Sequence, residues 1–182
     1  MYGRRTPKAL LQALEILKDS GRLEPPDICI RLVGRFGDEV HEMLKASPFW
    51  SSVVMVGYVT HAESIAFVMQ SEMSLLIVDE AKESAEIVPG KVYEYLGVGR
   101  PILALAPRDS AIERLLLETQ AGFSVPQSDV AGIADALVTS IERWRQGMQI
   151  AEPLADVVRQ YERRESARQL AQMLDDLHRE AG

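Results

Sequence analysis

Cysteine, histidine and basic charge are all scarce in this chain of 182 residues, and each shortage closes off a class of function. A single cysteine, Cys29, excludes a disulfide framework and a cysteine-based metal cluster. It lies in the apolar run Ile28-Cys-Ile-Arg-Leu-Val33, which predicts a buried structural thiol. The three histidines, His41, His61 and His178, stand at no spacing that a metal ion uses, so no metal site is expected. Lys and Arg total 20 against 27 Asp and Glu, a net charge of −7, which argues against a nucleic-acid face. That balance still permits a local basic pocket for one small phosphorylated ligand. Aromatic residues are only 6% of the chain, and Trp50, Trp144 and Tyr161 have no stacking-platform spacing, so core or helix-docking roles are expected of them. No apolar run approaches the roughly 18 residues of a membrane span, and no leader pattern opens the chain, which points to a cytoplasmic protein.

What is present is an ordinary globular composition, 47% hydrophobic and 26% charged, on a chain long enough to bury a real core. Helix and strand patterns alternate throughout. Leu10, Leu11, Leu14 and Leu17 recur at helical spacing within Thr6–Asp19, and Pro7 suits its first turn. Strands are expected over Asp27–Val33, Ser52–Val56, Met73–Val78, 102–106 and Gly122–Val125. Between them, helices are expected over Asp38–Ala46, over Thr60–Gln70 with a Thr60-x-x-Glu63 capping box, after Gly90, and from Ser110 with Glu113 three residues on. Long helices over Ser128–Arg145 and Pro153–Arg179 close the chain. Near-continuous apolar strands separated by helices define a Rossmann-like, doubly wound parallel α/β sheet covered on both faces. Residues 1–147 form that domain, and 148–182 are expected to be a helical extension packed on it.

In the usual order of such a sheet the first strand is central and feeds the first helix, yet only Met1-Tyr-Gly3 precedes Arg4. The expectation is a first strand lost by truncation of a longer protein.

Ligands of open parallel sheets bind beyond the carboxyl ends of the strands. There the sequence places Arg4 and Arg5, then Gly34, Arg35 and Gly37, then Gly57 and Tyr58, then the stretch Glu86-Ile-Val-Pro-Gly-Lys-Val-Tyr-Glu94. Glycines and cations at these points suit a phosphate. Lys91 in the first turn of a helix opposes the macrodipole, at a local cost of roughly 0.3–1 kcal/mol. An anion held by the free backbone N–H groups of the stretch 88–91 would reverse that. The other reading of Lys91 is a solvent-exposed partner of Glu94, three residues on. Glu94 is placed to accept hydrogen bonds from two adjacent ribose hydroxyls. Glu86 either addresses another part of the same ligand or belongs to the acidic surface run of Asp79, Glu80 and Glu83. Arg4, Arg5 and Lys8 form a basic cluster whose two readings are bidentate diphosphate binding and an exposed basic terminus.

These residues, Glu86-IVPGKVY-Glu94 followed by Tyr95-LGVGR-Pro101 and an apolar strand, resemble the Glu-x7-Glu signature of the nucleotide-sugar half of retaining GT-B glycosyltransferases of family four, the group 1 transferases. The likeness runs along nearly the whole chain, through Gly3-Arg-Arg-Thr-Pro7 with Leu10-Leu-Gln-Ala13, Leu32-Val-Gly34, Val54-Met-Val-Gly-Tyr58 and Ala121-Gly-Phe123. The resemblance implies that Glu94 holds the ribose and Glu86 the donor sugar. It implies that Arg5, with Arg4 beside it, takes the place of the diphosphate-binding lysine, and that the backbone around Tyr58 approaches the base. Ile87-Val-Pro89 replaces the Gly-Phe-Gly that commonly comes after the first glutamate, which gives Lys91 a share of the anion contact.

What the resemblance implies as a whole is a donor domain for transfer of a sugar, with retention, from a UDP- or GDP-linked donor, without a cofactor or metal. The acceptor half would lie on another domain, through which peripheral membrane contact would be made, and the present chain alone would be inactive. Catalytic roles fall to Glu86, Arg5 and Lys91, and donor binding to Glu94, Arg4, Arg35, Gly34, Tyr58, Val88, Pro89 and Gly90. Two other readings stay open: a nucleotide-sugar epimerase on the same scaffold, for which no His or Asp pair stands out as acid and base, and a non-enzymatic α/β regulatory or interaction domain.

Overall fold

Short apolar runs punctuated by glycines and helix caps become five strands and eight α-helices in the computed structural model, which describes residues 5–180. The order is α1 (Lys8–Asp19), β1 (Ile30–Val33), α2 (Asp38–Ala46), β2 (Val53–Gly57), α3 (His61–Met69) and β3 (Ser74–Ile77). It continues with α4 (Lys91–Val98), β4 (Ile102–Leu105), α5 (Ala111–Thr119), β5 (Gly122–Val125), α6 (Val130–Arg145), α7 (Ala155–Arg159) and α8 (Arg163–Glu180). All strand pairs are parallel, and the class is Rossmann-like α/β.

Two core clusters lie on opposite faces of the strands. Leu10, Leu14 and Leu17 of α1, Leu44 of α2 and Ile133 and Leu137 of α6 pack with Leu32, Ile77, Leu103 and Leu105. Val92 and Leu96 of α4 and Ile112 and Leu116 of α5 pack with Leu76, Val78, Ile102 and Ala104. Alternate residues of β3 and β4 thus serve opposite faces, as the period of two requires. Local chemistry sets the helix starts: the Thr60 hydroxyl accepts from the Glu63 N–H while the Glu63 carboxylate accepts from the Thr60 N–H, and Ser110 caps α5 through the Glu113 N–H.

Four expectations are corrected. The strands form two sheets, β1-β2 and β3-β4-β5, rather than one continuous sheet, because β1 and β3 do not hydrogen-bond to one another. Cys29 is exposed rather than buried; β1 begins only at Ile30, since Pro25–Asp27 form a 3-10 turn that the Asp27 carboxylate and Glu24 cap. The helix expected over Pro153–Arg179 is two, α7 and α8, broken at Gln160–Glu162. Trp144, expected to dock or be buried, is 54% exposed on α6.

The segment ahead of α8 is docked. The Leu154 N–H donates to Thr119 O at 2.9 Å, Val158 and Tyr161 pack on the α4–α5 core, and the Tyr161 ring lies 6.2 Å from that of Tyr93. Tyr161 Oη–H donates to Glu118 Oε2 at 2.8 Å. Burial, then this hydrogen bond and the Glu118 and Tyr93 charges, push the phenol up from 10.0 to about 12. A group raised on folding contributes stability that is present below its unfolded value and lost as pH rises through its folded value. The contribution of Tyr161 is therefore expected to hold up to about pH 10 and disappear by about pH 12. Phenolate absorbance followed by pH, in the native chain and in Tyr161→Phe, checks this: the difference curve should show one phenol titrating near 12. A curve centred near 10 would mean the phenol is not held by the fold.

Candidate functional site

The strands end at one edge, and backbone need sets the glycines that end β1 and β2. Gly57 closes β2 at φ 80°, a left-handed conformation that favours glycine, and its carbonyl accepts from the Gly34 N–H at 2.7 Å. This ties the carboxyl ends of β1 and β2 together. The next residues, Arg35 and Tyr58, then meet, with the Arg35 guanidinium 5.5 Å from the Tyr58 ring centroid. Such an exposed cation–π pair is worth about 0.5–1 kcal/mol.

After β3 the chain loops back to open α4 at the same edge. Gly90 stands at the N-cap with no side-chain cap, and the first turn carries Lys91 and Glu94. A cleft of about 660 Å³ begins here and runs between β1 and β3. Arg5, Gly34, Arg35, Pro89, Lys91 and Glu94 all line it. They come from the segment ahead of α1, the end of β1 and the start of α4, and Asp27, Arg31 and Glu72 line the same cleft.

Glu94 is partly buried and takes His61 as its partner: Nε2 lies 3.2 Å from Oε1, with side chains 76% and 35% exposed. The contact arises because α3 packs on α4 and the Thr60 cap fixes His61 as the first residue of α3. So exposed a pair is worth at most about 1 kcal/mol, so a ligand hydroxyl can displace the imidazole. The neighbouring Tyr95 phenol is pushed up, first by burial and then by the Glu94 charge, so it stays neutral beside the carboxylate.

Glu86 sits differently. Its carboxylate is paired with Arg114 of α5 at 2.6 Å, and the same guanidinium donates to Asp109 O at 2.6 Å. Glu86 is outside the lining of the cleft, as are Val88, Gly90 and Tyr58. Val88 packs on the α4–α5 core, and Tyr58 is 78% exposed. Both partners of the Glu86–Arg114 pair are more than half exposed, so its rupture costs no more than about 1 kcal/mol. A hydrogen bond from a ligand to a charged group, at about 1.5–3 kcal/mol, outweighs that. Arg4 lies outside the described residues.

Two residues of the site, His61 and Arg114, carry no signal in the sequence that marks them for it. The capping box fixes where His61 sits but not that α3 lies against α4. Among the described residues, no His, Cys, Asp and Glu gather into a metal-holding group, and no helix is long and apolar enough to cross a membrane.

No protein-family model matches this chain, and no curated protein matches it either.

Proposed function

We propose that this chain is the donor-binding domain of a glycosyltransferase, holding a nucleoside-diphosphate sugar at the carboxyl edge of its strands for transfer with retention. The observation that carries the reading is that Arg5, Arg35, Lys91 and Glu94 line one cleft, with Lys91 and Glu94 in the first turn of α4, whose start has no side-chain cap. Glu94 takes the ribose hydroxyls, releasing His61. Arg5 and Arg35 take the diphosphate as planar, multidentate donors, and Lys91 with the first N–H groups of α4 adds a fixed positive field. As the glycosidic bond breaks, negative charge grows on the leaving diphosphate, and donors already in place stabilise it without reorganising. Glu86, once released from Arg114, is within the same loop to meet hydroxyls of the sugar. The acceptor would be held by another domain, so nucleotide binding without sugar transfer is expected of these residues alone. A cytoplasmic setting fits a phosphorylated donor of this kind.

Thermal unfolding with UDP, GDP and ADP tests the reading. A ligand at a hundred times its Kd should add about 2.7 kcal/mol of stability. At least one diphosphate is expected to raise Tm where the matching nucleoside does not. No shift with any of the three would favour the non-enzymatic regulatory domain instead.

A further inference from the structure

An apolar stripe runs along α8 with nothing over it. Leu170, Met173, Leu174 and Leu177 stand at i, i+3, i+4 and i+7, the spacing that puts side chains on one helix face, and each is 59–62% exposed. Every described residue of α8 beyond Glu165 is exposed, so no other described part of the chain covers the stripe. A helix draws most of its stability from packing such a face, and an exposed apolar patch rimmed by polar residues marks a contact surface. The base of α8 is firm, because α7 packs on α5 and Tyr161 is bonded to Glu118. Charge is segregated along the helix. Arg163, Arg164 and Arg168 lie with Glu165 in the first half, and Asp175 and Asp176 lie with Arg179 in the second. Two pairs within the helix, Arg168 with Glu165 at 2.6 Å and Arg179 with Asp176 at 3.2 Å, leave Arg163, Arg164 and Asp175 in no ion pair among the described residues.

We propose that α8 is a dimerisation helix, packing antiparallel on α8 of a second copy of this chain about a two-fold axis beside Ala171 and Gln172. Charge decides both the occupant and the direction. A parallel pair would set the arginine-rich halves side by side and the aspartates side by side, which repels. An antiparallel pair sets the basic half of each copy level with the acidic half of the other, so one surface complements itself, as a two-fold interface requires. The apolar residues agree with that register. Leu170 comes level with Leu174 of the other copy, and Ala167 with Leu177, which gives the alternating layers of an antiparallel helix pair. Arg168 comes level with Asp176 of the other copy, and Gln169, whose amide can donate, comes level with Asp175. A lipid surface is a poorer match. The polar side of an interfacial helix is rich in Lys and Arg, whereas α8 sets four acids against its four arginines. No residue of α8 lines the donor cleft, so the dimer does not rest on the reading of that site.

Sedimentation velocity of the full chain over about 1–500 µM tests this, the range in which a small interface of one helix pair dissociates. The native chain is expected to pass from monomer to dimer. The double variant Leu170→Gln/Leu174→Gln should stay monomeric throughout and keep the native Tm at low concentration, because neither leucine is buried in the domain. Cross-linking reads the register, in a Cys29→Ser background because the sole cysteine is exposed. A short bismaleimide should join Ala171→Cys at least about tenfold faster than Ala167→Cys, whose two copies stand about 15 Å apart along the axis of an antiparallel pair. A chain that is monomeric at every concentration, a dimer that survives the leucine changes, or equal cross-linking at the two positions would overturn the proposal. So would a monomer that binds anionic lipid vesicles through the same leucines, since that would make a membrane surface the occupant. None of these readouts involves a nucleotide, so they stand apart from the donor-site reading.

Discussion

Replacing Glu94 by alanine is expected to lower the affinity for a nucleoside diphosphate by about 100-fold. The figure comes from two hydroxyl hydrogen bonds to a carboxylate, each worth roughly 1.5–3 kcal/mol, less the weak His61 pair that the ligand must first displace. A loss alone would not identify what Glu94 touches, because removing a charge from a cleft that Lys91, Arg5 and Arg35 also line changes its field. The deoxyribo analogue separates the two effects. On the native chain it should bind more weakly than the ribonucleotide, and on Glu94→Ala the two should bind alike. Calorimetric titration of both ligands into both proteins gives the coupling. If the ribose preference survives in Glu94→Ala, the hydroxyls are held elsewhere and the assignment of Glu94 is wrong.

Gly122→Ala is expected to destabilise the fold more than any other single methyl group at a glycine of the described chain. Gly122 opens β5 directly opposite Ile102, and a Cβ there would fall 1.9 Å from Ile102 O and 2.6 Å from Ile102 N. Both are backbone atoms of the fully buried β4, and the Ile102 N–H is itself committed to Ala121 O at 2.9 Å. No side chain can rotate out of the way, so relief requires separating the strands. A cost of about 4 kcal/mol or more places it in the severe tail of point mutations, which for a domain of this size lowers Tm by roughly 10 °C. Gly97→Ala is the matched control. It lies within α4 with nothing within 4 Å of the added carbon, and should stabilise by about 0.5–1 kcal/mol through helix propensity. Denaturant unfolding of the two variants checks the contrast; a Gly122→Ala protein as stable as the native chain would mean that the β4–β5 pairing is not as described.

The features legible in the sequence are those set by short-range interactions. Thr60 with Glu63, and Ser110 with Glu113, declare helix starts within four residues, and both caps form where the sequence places them. The strand ends at Gly34 and Gly57 are likewise local backbone requirements. The partners of the two glutamates are not local. Glu94 meets His61 across 33 positions and Glu86 meets Arg114 across 28, through helix packing that no spacing rule encodes. Cys29 shows a different limit. Its run has the composition of a buried strand, but burial also requires a neighbour on the β3 side, and among the described residues β1 pairs only with β2. In the case of Pro153–Arg179, the amphipathic period carries across a break at Gln160–Glu162, because the residues either side remain good helix formers.

Amide chemical-shift mapping with the best-binding nucleoside diphosphate tests the central claim most directly. The expected result is perturbation at Arg5, at Gly34 and Arg35 after β1 and at Lys91 and Glu94 in the first turn of α4, which line the cleft, and at His61, Glu86 and Arg114, whose ion pairs the ligand breaks. Perturbation elsewhere, on α8 or along the Lys8–Glu15 face of α1 for example, or none at saturating ligand, would contradict a nucleotide site at the carboxyl edge of these strands.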